Sequence, residues 1–531
     1  MKHKIMAKMK RDWDVAVIVV FFVVYFLIGL MVFDDYGFIV DDSCQRLHSL
    51  VNYKYVMRVI FGRYVLPEIP ELKDYSHMYG VALQLPMVFY EHVKHWTLTP
   101  HEIFRMRHLC FFFTCFIGYV FFYLSLGKIF NQSKIVPIFG VMFVSLYPRF
   151  FSMQFVDIKN LGFAATCMIA FYFMVMAVEK KKVIWQISFG CAAALAANTR
   201  MMAVVFPAVL LGYYLLADLT GKDSDVSPSQ RVVKYVAVAC SFFLFWYIIT
   251  PMAWRHPTSV FVKTFKTFAW YEAWDGTMVF MGRLIKCSDM PWHYLFVWFG
   301  ISIPVYLLLL FLIGHIRAVR KIVKNPHGLL DVVLSDFKWF FCAAVLFWGS
   351  VLSVIIMRSR IYIGWHHMYF VFVPFCVCAC YGFDCLLRTF KPKIVIAAIS
   401  FLLFLQCIWI VRYHPFQSSY FNIIGKPVAS NFDREEWRLA SKAMLDWICK
   451  NQSEDFSVSG EYVSVYVLAL PKNEQKRITL VNDGADYILE FYTRRIGNTV
   501  LYDGYEEVHT AWVDGYKVAS VFKKKEGSVE E

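Results

Sequence analysis

Charged residues are scarce in this chain of 531 residues. Asp, Glu, Lys and Arg make up 18% of it, hydrophobic residues make up 59%, and the mean hydropathy is +0.49. Soluble domains are about one quarter charged, so this composition excludes an ordinary soluble protein. The sequence also lacks internal repeats and charge-rich apolar segments, which are typical of secondary transporters. The composition is that of a polytopic α-helical membrane protein.

Eleven apolar segments approach the ~20 residues that a helix needs to cross ~30 Å of hydrocarbon. Residues 1–411 are therefore predicted to form a transmembrane domain, with helices of the outer face at 34–105. We predict spans at residues 14–33, 108–127, 134–151, 160–178, 183–198, 201–217, 232–253, 291–314, 337–357, 367–387 and 394–411.

Lys and Arg cluster in four segments, which fall on one side of the membrane if there are eleven spans. These are residues 1–11, 180–182, 317–324 and 388–393. Because positively charged loops stay in the cytoplasm, we predict a cytoplasmic N-terminus and an external C-terminal segment. These loops, facing anionic lipid, account for the net charge of +14, so nucleic acid is not a predicted partner.

Residues 79–93 are apolar enough to form a twelfth span. A crossing there would move the basic segment 180–182 to the outside of the membrane. We therefore predict that residues 79–93 form an interfacial or re-entrant helix.

Polar residues return after residue 411. Residues 412–531 are predicted to form a small soluble α/β domain outside the membrane. Helical periodicity covers residues 435–449. Short segments rich in β-branched and aromatic residues predict strands at 456–458, 462–470, 478–481, 487–492 and 516–522.

Two acidic pairs follow the first predicted span, Asp34-Asp35 and Asp41-Asp42. Carboxylates at a membrane edge indicate function, because charge is unfavourable there. Residues 41–58 have helical spacing and an apolar stripe that can lie on the bilayer surface. An alternative for Asp41 and Asp42 is the capping of that helix, since acidic residues stabilise helix N-termini.

Two further polar segments are predicted on the same outer face. The first contains Asp157, Lys159 and Asn160, and its alternative interpretation is a polar turn with an Asp157–Lys159 ion pair. The second is a tight hairpin that carries Asn198 and Arg200. Arg200 either extends to lipid head groups or holds an anionic ligand.

These segments resemble a known family. The ordered series is similar to the GT-C glycosyltransferases of family 39, the protein O-mannosyltransferases and the bacterial lipid A aminoarabinose transferases. Asp41-Asp42 matches the family's Asp-Glu pair, with Asp42 in place of the Glu. The other matching strings are 157–160 (DIKN), 196–200 (AANTR), 291–295 (PWHYL), 364–370 (GWHHMYF) and 414–422 (HPFQSSYFN).

The resemblance implies a GT-C-like fold and an inverting transferase of the bacterial inner membrane. Its donor would be a sugar on a polyprenyl-phosphate carrier, and its acceptor a cell-surface glycan, a lipid or a protein. An attacking hydroxyl or amine needs a base, and we predict Asp41 for this role. Asp42 and Asp157 would position the acceptor or Asp41, and Asp34 and Asp35 are the alternatives.

The leaving phosphate gains negative charge, which fixed cations stabilise. We favour Arg200 for this role, then Lys159. An aromatic segment, residues 265–280, either covers the sugar or prenyl chain or anchors at the membrane interface. Further phosphate-binding candidates are Arg358, Arg360, His366 and His367, and the matching strings add His293 and Tyr369 as site candidates.

A cofactor is not required by these residues. His366 and His367 are adjacent and cannot both reach one ion from a regular helix. Carboxylate pairs are only partial sites for a divalent cation, so the binding of such a cation stays an open alternative. Two alternative functions are a lipid-linked sugar flippase or other transporter and a non-catalytic envelope assembly protein.

Overall fold

The computed structural model describes residues 13–75, 79–180, 182–221, 227–272, 274–326, 328–435 and 437–525. The basic segment 1–11 and Lys181 of the basic segment 180–182 lie outside the described residues. Within those ranges the chain forms a helical membrane domain followed by a smaller domain built on a five-stranded sheet.

Apolar helices dominate the first 412 residues, which confirms the prediction of a polytopic helical membrane protein. Each of the eleven predicted spans coincides with apolar helix, although two of these helices, Ile135–Ser145 and Val183–Thr199, are shorter than a bilayer-spanning helix. The described residues include eight helices with the length and composition of a span: Trp13–Val32, Pro100–Ile129, Leu161–Glu179, Met201–Leu219, Pro228–Ile249, Lys338–Met357, His366–Thr389 and Pro392–Arg412.

The eighth predicted span is broken, so the prediction of a continuous helix over residues 291–314 is wrong. Helices Tyr294–Ser302 and Val305–Lys324 meet at an angle of 119°. Pro304 ends the first helix because its ring leaves no N–H for the backbone ladder. The carbonyls at the break are bound by Asn422, whose Nδ2 lies 2.7 Å from Gly300 O and 2.6 Å from Ile303 O.

The first outer segment contains two helices, Asp41–Phe61 and Leu85–Val93. The second has nine residues, about 13 Å at 1.5 Å per residue, which is too short to cross a bilayer. The predicted stripe of helix Asp41–Phe61 packs into the protein, since Leu50, Val51 and Tyr55 are buried. Only the C-terminal end of this helix exposes apolar side chains.

Four short helices connect the long ones. They are Pro148–Met153, Pro257–Ala269, Leu329–Val333 and the 3₁₀ helix Pro251–Ala253. A two-stranded hairpin, β1 (Thr277–Phe280) and β2 (Arg283–Lys286), belongs to the outer loop that precedes the broken span.

The C-terminal domain is built on a mixed five-stranded sheet. Its strands are β3 (Phe456–Gly460), β4 (Ile478–Leu480), β5 (Tyr487–Phe491), β6 (Tyr505–Val513) and β7 (Tyr516–Lys524), in the order β4-β3-β5-β7-β6. Strands β3, β4 and β5 are parallel, whereas β7 runs antiparallel to both β5 and β6. Helix Ala440–Asn451 packs on the sheet, and short helices Val463–Tyr466 and Lys472–Gln475 follow β3.

Two predictions for this domain are wrong. The strand predicted at 462–470 is helical, because its buried side chains Val463, Tyr466, Val467 and Leu470 follow helical spacing rather than alternation. Strand β6 was not predicted, and two register shifts against β7 interrupt its alternation. Helix Ala440–Asn451 begins five residues later than the predicted helix at 435.

Hydrogen bonds tie the last membrane helix to the sheet domain. Trp409 Nε1 donates to Asp514 over 2.7 Å, and the Tyr516 hydroxyl donates to Ser419 O over 2.7 Å. The two domains are therefore in direct contact at the outer face.

Candidate active site

Asp41 and Lys159 form the centre of the candidate site. Asp41 opens helix Asp41–Phe61, and Lys159 lies just before helix Leu161–Glu179. The Lys159 Nζ is 2.7 Å from Asp41 Oδ2, and the Asp41 side chain is 30% exposed. Burial opposes ionisation of Asp41, but Lys159, with His366 and Arg200, holds the pKa of Asp41 below its usual value. Asp41 is thus an ionised carboxylate in reach of solvent.

Asp157 is buried beside this pair. Its two carboxylate oxygens accept from Asn160, one from the backbone N over 2.9 Å and one from Nδ2 over 2.8 Å. Burial raises the pKa of Asp157, against the fields of His366 and Arg200. The alternative of an Asp157–Lys159 turn is not what forms, since the Lys159 ammonium pairs with Asp41 instead.

Arg200 ends helix Val183–Thr199 and is 3% exposed, so it does not extend to the protein surface. Its Nη1 donates to His367 O over 3.1 Å, and its guanidinium carbon lies 5.8 Å from the ring centre of Tyr79. Within the described part of the chain, Arg200 Nε has no hydrogen-bond partner. A buried guanidinium with a donor to spare is a favourable position for an anion.

Tyr79 completes this cluster and was missed from the sequence, where it belonged to a predicted apolar helix. Lys159 Nζ lies 4.5 Å from its ring centre. Asn198 holds the adjoining backbone, because its O accepts from Gly80 N over 2.9 Å and its Oδ1 accepts from Ala82 N over 3.0 Å. A Cβ on Gly80 would come within 2.3 Å of Asn198, so only glycine allows this approach.

His366 and His367 form an aromatic wall of the site. Their ring centres are 4.0 Å apart, and Tyr362 lies 4.5 Å from His367. Trp437 from the C-terminal domain lies 4.9 Å from the His366 ring. Among the described residues, no group of three or more His, Cys, Asp or Glu side chains is arranged to hold a metal ion. Whether the site holds a divalent cation stays the alternative that the sequence left open.

Part of the predicted aromatic cover adjoins this wall. Tyr271 lies 6.2 Å from His367, and Trp274 lies 4.2 Å from Tyr362, measured between ring centres. Trp270 is half exposed. Tyr362 and Trp437 were missed from the sequence, because neither belongs to a polar string that indicates chemistry.

The other three carboxylates of the two acidic pairs contact residues away from Lys159. Asp34 Oδ1 accepts from Arg105 over 2.9 Å, and Asp35 Oδ2 lies 2.8 Å from His414 Nε2. Asp42 is buried and accepts from Ile39 N over 2.9 Å. Asp42 is therefore hydrogen-bonded to the backbone just before the helix, whereas the N-cap residue Val40 makes no side-chain cap hydrogen bond, and Asp41 faces Lys159 instead.

Four further candidates lie away from the Asp41–Lys159 pair. Arg360 donates to Glu272 O over 2.9 Å on the outer loop. Arg358 lines a separate cavity of about 340 Å³ together with Trp292. His293 packs against Phe280 and Trp292, whereas Tyr369 packs in the core, 4.9 Å from Phe150 and 5.0 Å from Trp365.

An apolar cavity of about 710 Å³ adjoins Arg200. It lies between helices Met201–Leu219 and Lys338–Met357, and its walls include Met201, the residue after Arg200. Phe268 also lines it, and the Arg200 guanidinium carbon is 5.9 Å from that ring centre. The cavity thus has apolar walls, and the buried Arg200 guanidinium packs behind one of them, at Phe268.

The fold and the site define a polytopic membrane protein in which a cluster of cations and carboxylates at one end of the helices adjoins an apolar cavity. Residues 86–252, about a third of the chain, match the family model of the dolichyl-phosphate-mannose-protein mannosyltransferases. The matched segment contains Asp157, Lys159 and Arg200. It confirms the family resemblance predicted from the sequence.

Solved structures of similar proteins have low sequence identity to this chain. ArnT from Cupriavidus metallidurans, solved with undecaprenyl phosphate, is 12% identical, with 96% of this chain and 98% of that protein covered and a TM-score of 0.46. The oligosaccharyltransferase of Archaeoglobus fulgidus is 10% identical, with 87% of this chain covered and a TM-score of 0.47. This chain spans 64% of the length of the archaeal protein. No curated protein sequence matches this chain.

Proposed function

We propose that this protein is an integral membrane glycosyltransferase that moves a sugar from a polyprenyl-phosphate carrier to an acceptor outside the cytoplasm. The observation that carries this proposal is the position of Arg200. Its buried guanidinium, with Nε lacking a partner within the described residues, lies 5.9 Å from the ring centre of Phe268, which lines the apolar cavity. A prenyl chain in the cavity would bring its phosphate to Arg200.

The proposed reaction is a single displacement at the anomeric carbon. The acceptor oxygen or nitrogen forms the new bond, the bond from the anomeric carbon to the phosphate oxygen breaks, and polyprenyl phosphate leaves. Asp41 takes the proton of the acceptor group. Attack opposite the leaving phosphate inverts the anomeric carbon.

Lys159 acts on both the base and the leaving phosphate in this reaction. At rest it keeps Asp41 ionised, as a base must be. The leaving phosphate gains charge as the bond breaks, so it competes with Asp41 for the ammonium. A shift of Lys159 toward the phosphate would weaken its hold on Asp41 as the proton arrives, and this favours protonation of Asp41.

The proposal includes the predicted topology, with the N-terminus in the cytoplasm of a bacterium and the site outside its inner membrane. Contacts at the opposite ends of the helices support it. Arg317 and Arg388 both bind Asp384, over 2.7 and 2.8 Å, and Lys338 lies 3.0 Å from Glu179. Basic residues of the segments predicted as cytoplasmic are therefore held together at one end of the bundle.

The test uses the full chain in proteoliposomes with undecaprenyl phosphate, the lipid found in the Cupriavidus protein. Native mass spectrometry measures lipid binding to the wild type and to Arg200→Ala. Loss of one charge-assisted phosphate contact predicts at least about tenfold weaker binding. Arg105→Ala is the control, because Arg105 is a cation of the outer face that pairs with Asp34.

Release of undecaprenyl phosphate from a panel of undecaprenyl-phosphate-linked hexoses and pentoses is measured in parallel. We expect release by the wild type and by Arg105→Ala, and its loss in Arg200→Ala. Unchanged lipid affinity in Arg200→Ala, together with a lower melting temperature, would show that Arg200 is only structural and would contradict the proposal.

A further inference from the structure

A second cavity, of about 770 Å³, lies in the C-terminal domain. Unlike the apolar cavity, it is lined largely by polar side chains. Its floor and walls come from the carboxyl ends of the three parallel strands: Gly460 and Glu461 after β3, residues 482–484 after β4, and residues 493–495 after β5. We call it the crevice.

The sheet topology makes this position a favourable binding site. The chain leaves β3 toward β4 on one side, and it leaves β5 toward β7 and β6 on the other side. A crevice therefore opens between β3 and β5, at the point where open α/β sheets bind ligands. Gly460 borders it with φ +154°, and a Cβ there would come within 2.8 Å of Leu489 O.

The walls of the crevice offer donors and acceptors in similar numbers. On one side Glu461 pairs with Arg438 and Arg494. On the other side Glu490 accepts from Arg495 Nε over 2.7 Å and from the Tyr502 hydroxyl. These ion pairs hold the charged groups in fixed positions without a large excess of either sign.

Exposed Asn482 and Asp483 lie at the rim of the crevice. A carboxylate only accepts hydrogen bonds, a guanidinium only donates them, and an amide does both. A sugar hydroxyl needs both kinds of partner. The crevice therefore fits an uncharged polyhydroxylated ligand better than an anion or an apolar chain.

The crevice is connected to the candidate active site by one short segment of the chain. Trp437 contacts His366 of the active site, and the next residue, Arg438, pairs with Glu461 of the crevice. Asp433 fixes the same segment, because its carboxylate accepts from Val279 N over 2.9 Å and from Arg494 N over 2.6 Å.

We propose that the crevice binds a neutral saccharide portion of the acceptor, and that Asp433, Trp437 and Arg438 set the position of the crevice relative to Asp41. This inference rests on the proposed function and narrows the acceptor to a glycan or glycan-bearing molecule. The donor lipid and the acceptor would then approach Asp41 from two different cavities, one apolar and one polar.

Saturation-transfer NMR on the full chain in detergent tests this inference without turnover. The probes are maltohexaose, mannohexaose and chitohexaose as neutral saccharides, and hexagalacturonate as an anionic one. We expect at least one neutral probe to bind, and the double variant Asn482→Ala with Asp483→Ala to weaken it at least about tenfold. The control variant Asp455→Ala should bind as the wild type does. Asp455 is exposed and directly precedes β3, at the amino ends of the parallel strands and opposite the crevice.

Three results would overturn the inference: no binding of any neutral probe, binding of hexagalacturonate alone, or equal binding by the double variant. Failure of the proposed function would be seen in a different measurement, the binding of undecaprenyl phosphate to Arg200→Ala. If both proposals hold, Arg200→Ala loses undecaprenyl phosphate yet keeps the saccharide, whereas the double variant keeps undecaprenyl phosphate. The two cavities are thereby tested separately.

Discussion

The two acidic pairs of the first outer segment have the same composition and different surroundings. Asp34 and Asp35 are half exposed, and each binds a basic residue on the outer surface. Asp42 is enclosed and accepts a backbone hydrogen bond, while Asp41 alone meets Lys159 in the site. Four chemically equal carboxylates thus have three roles, and their partners from distant parts of the chain decide which role each has.

The largest effect in this comparison is expected at Asp41. Asp41→Asn removes the proposed base with little change in shape, and general bases contribute about 10²–10⁴-fold to rates. We expect release of undecaprenyl phosphate in proteoliposomes to fall by that factor at normal expression. A rate equal to that of the wild type would show that Asp41 is not the base. The proposed difference in role between the two acidic pairs would then be lost as well.

The second effect concerns the pH dependence that Lys159 gives to Asp41. An ionised base is lost as pH falls through its pKa, and Lys159 keeps that pKa below its usual value of about 3.9. Burial, which raises the pKa, remains in Lys159→Met. We therefore expect the acid limb of the release rate to move to higher pH in this variant, with a lower rate overall.

The control for this measurement is Lys54→Met. Lys54 lies on the same helix as Asp41 and pairs with Glu71 over 3.2 Å. It should leave the acid limb in place. An equal shift in both variants would assign the limb to general loss of positive charge rather than to the Asp41–Lys159 pair.

A third, smaller effect is expected at Asp42, and it concerns stability. Asp42→Ala leaves the buried Ile39 N–H without its acceptor, which costs about 1–3 kcal/mol. Thermal unfolding in detergent should show a lower midpoint, while the release rate per folded molecule stays that of the wild type. A normal midpoint with a lost rate would place Asp42 beside Asp41 in the reaction.

The smallest effects are expected at the first pair. Asp34→Asn and Asp35→Asn each remove one exposed ion pair, and such pairs contribute about 0–1 kcal/mol. Both variants should match the wild type in melting temperature and release rate. A strong rate loss in either one would show that the site extends to this pair.

The sequence predicts those features that depend on neighbouring residues. Helix Asp41–Phe61 follows from the spacing of Leu50, Val51 and Tyr55, which are all buried in the structure. The placement of Asp41, Asp157 and Arg200 at the same end of the helices follows from the order of the spans, and the outer location of that end stays a prediction. Each of these predictions needs only a stretch of contiguous sequence or a count of crossings.

Features that depend on distant contacts are not predictable in this way. Asp41 and Lys159 pair across 118 residues, and Asn198 holds the backbone at Ala82 across 116 residues. That second contact fixes the backbone three residues after Tyr79. The break before Val305 likewise depends on Asn422, which lies in a different part of the chain.

The hydrogen bonds of Asn422 and Asp514 bear on how this protein can be divided. Hydropathy changes sharply at residue 411, yet Asn422 satisfies carbonyls within the membrane domain, and Asp514 accepts from Trp409 of the last membrane helix. Cutting the chain at 411 would leave these groups unpaired where little water can replace the lost partners. The boundary in hydropathy is therefore not a boundary between autonomous modules, because the membrane part needs groups from residues 412–531 to satisfy its own hydrogen bonds.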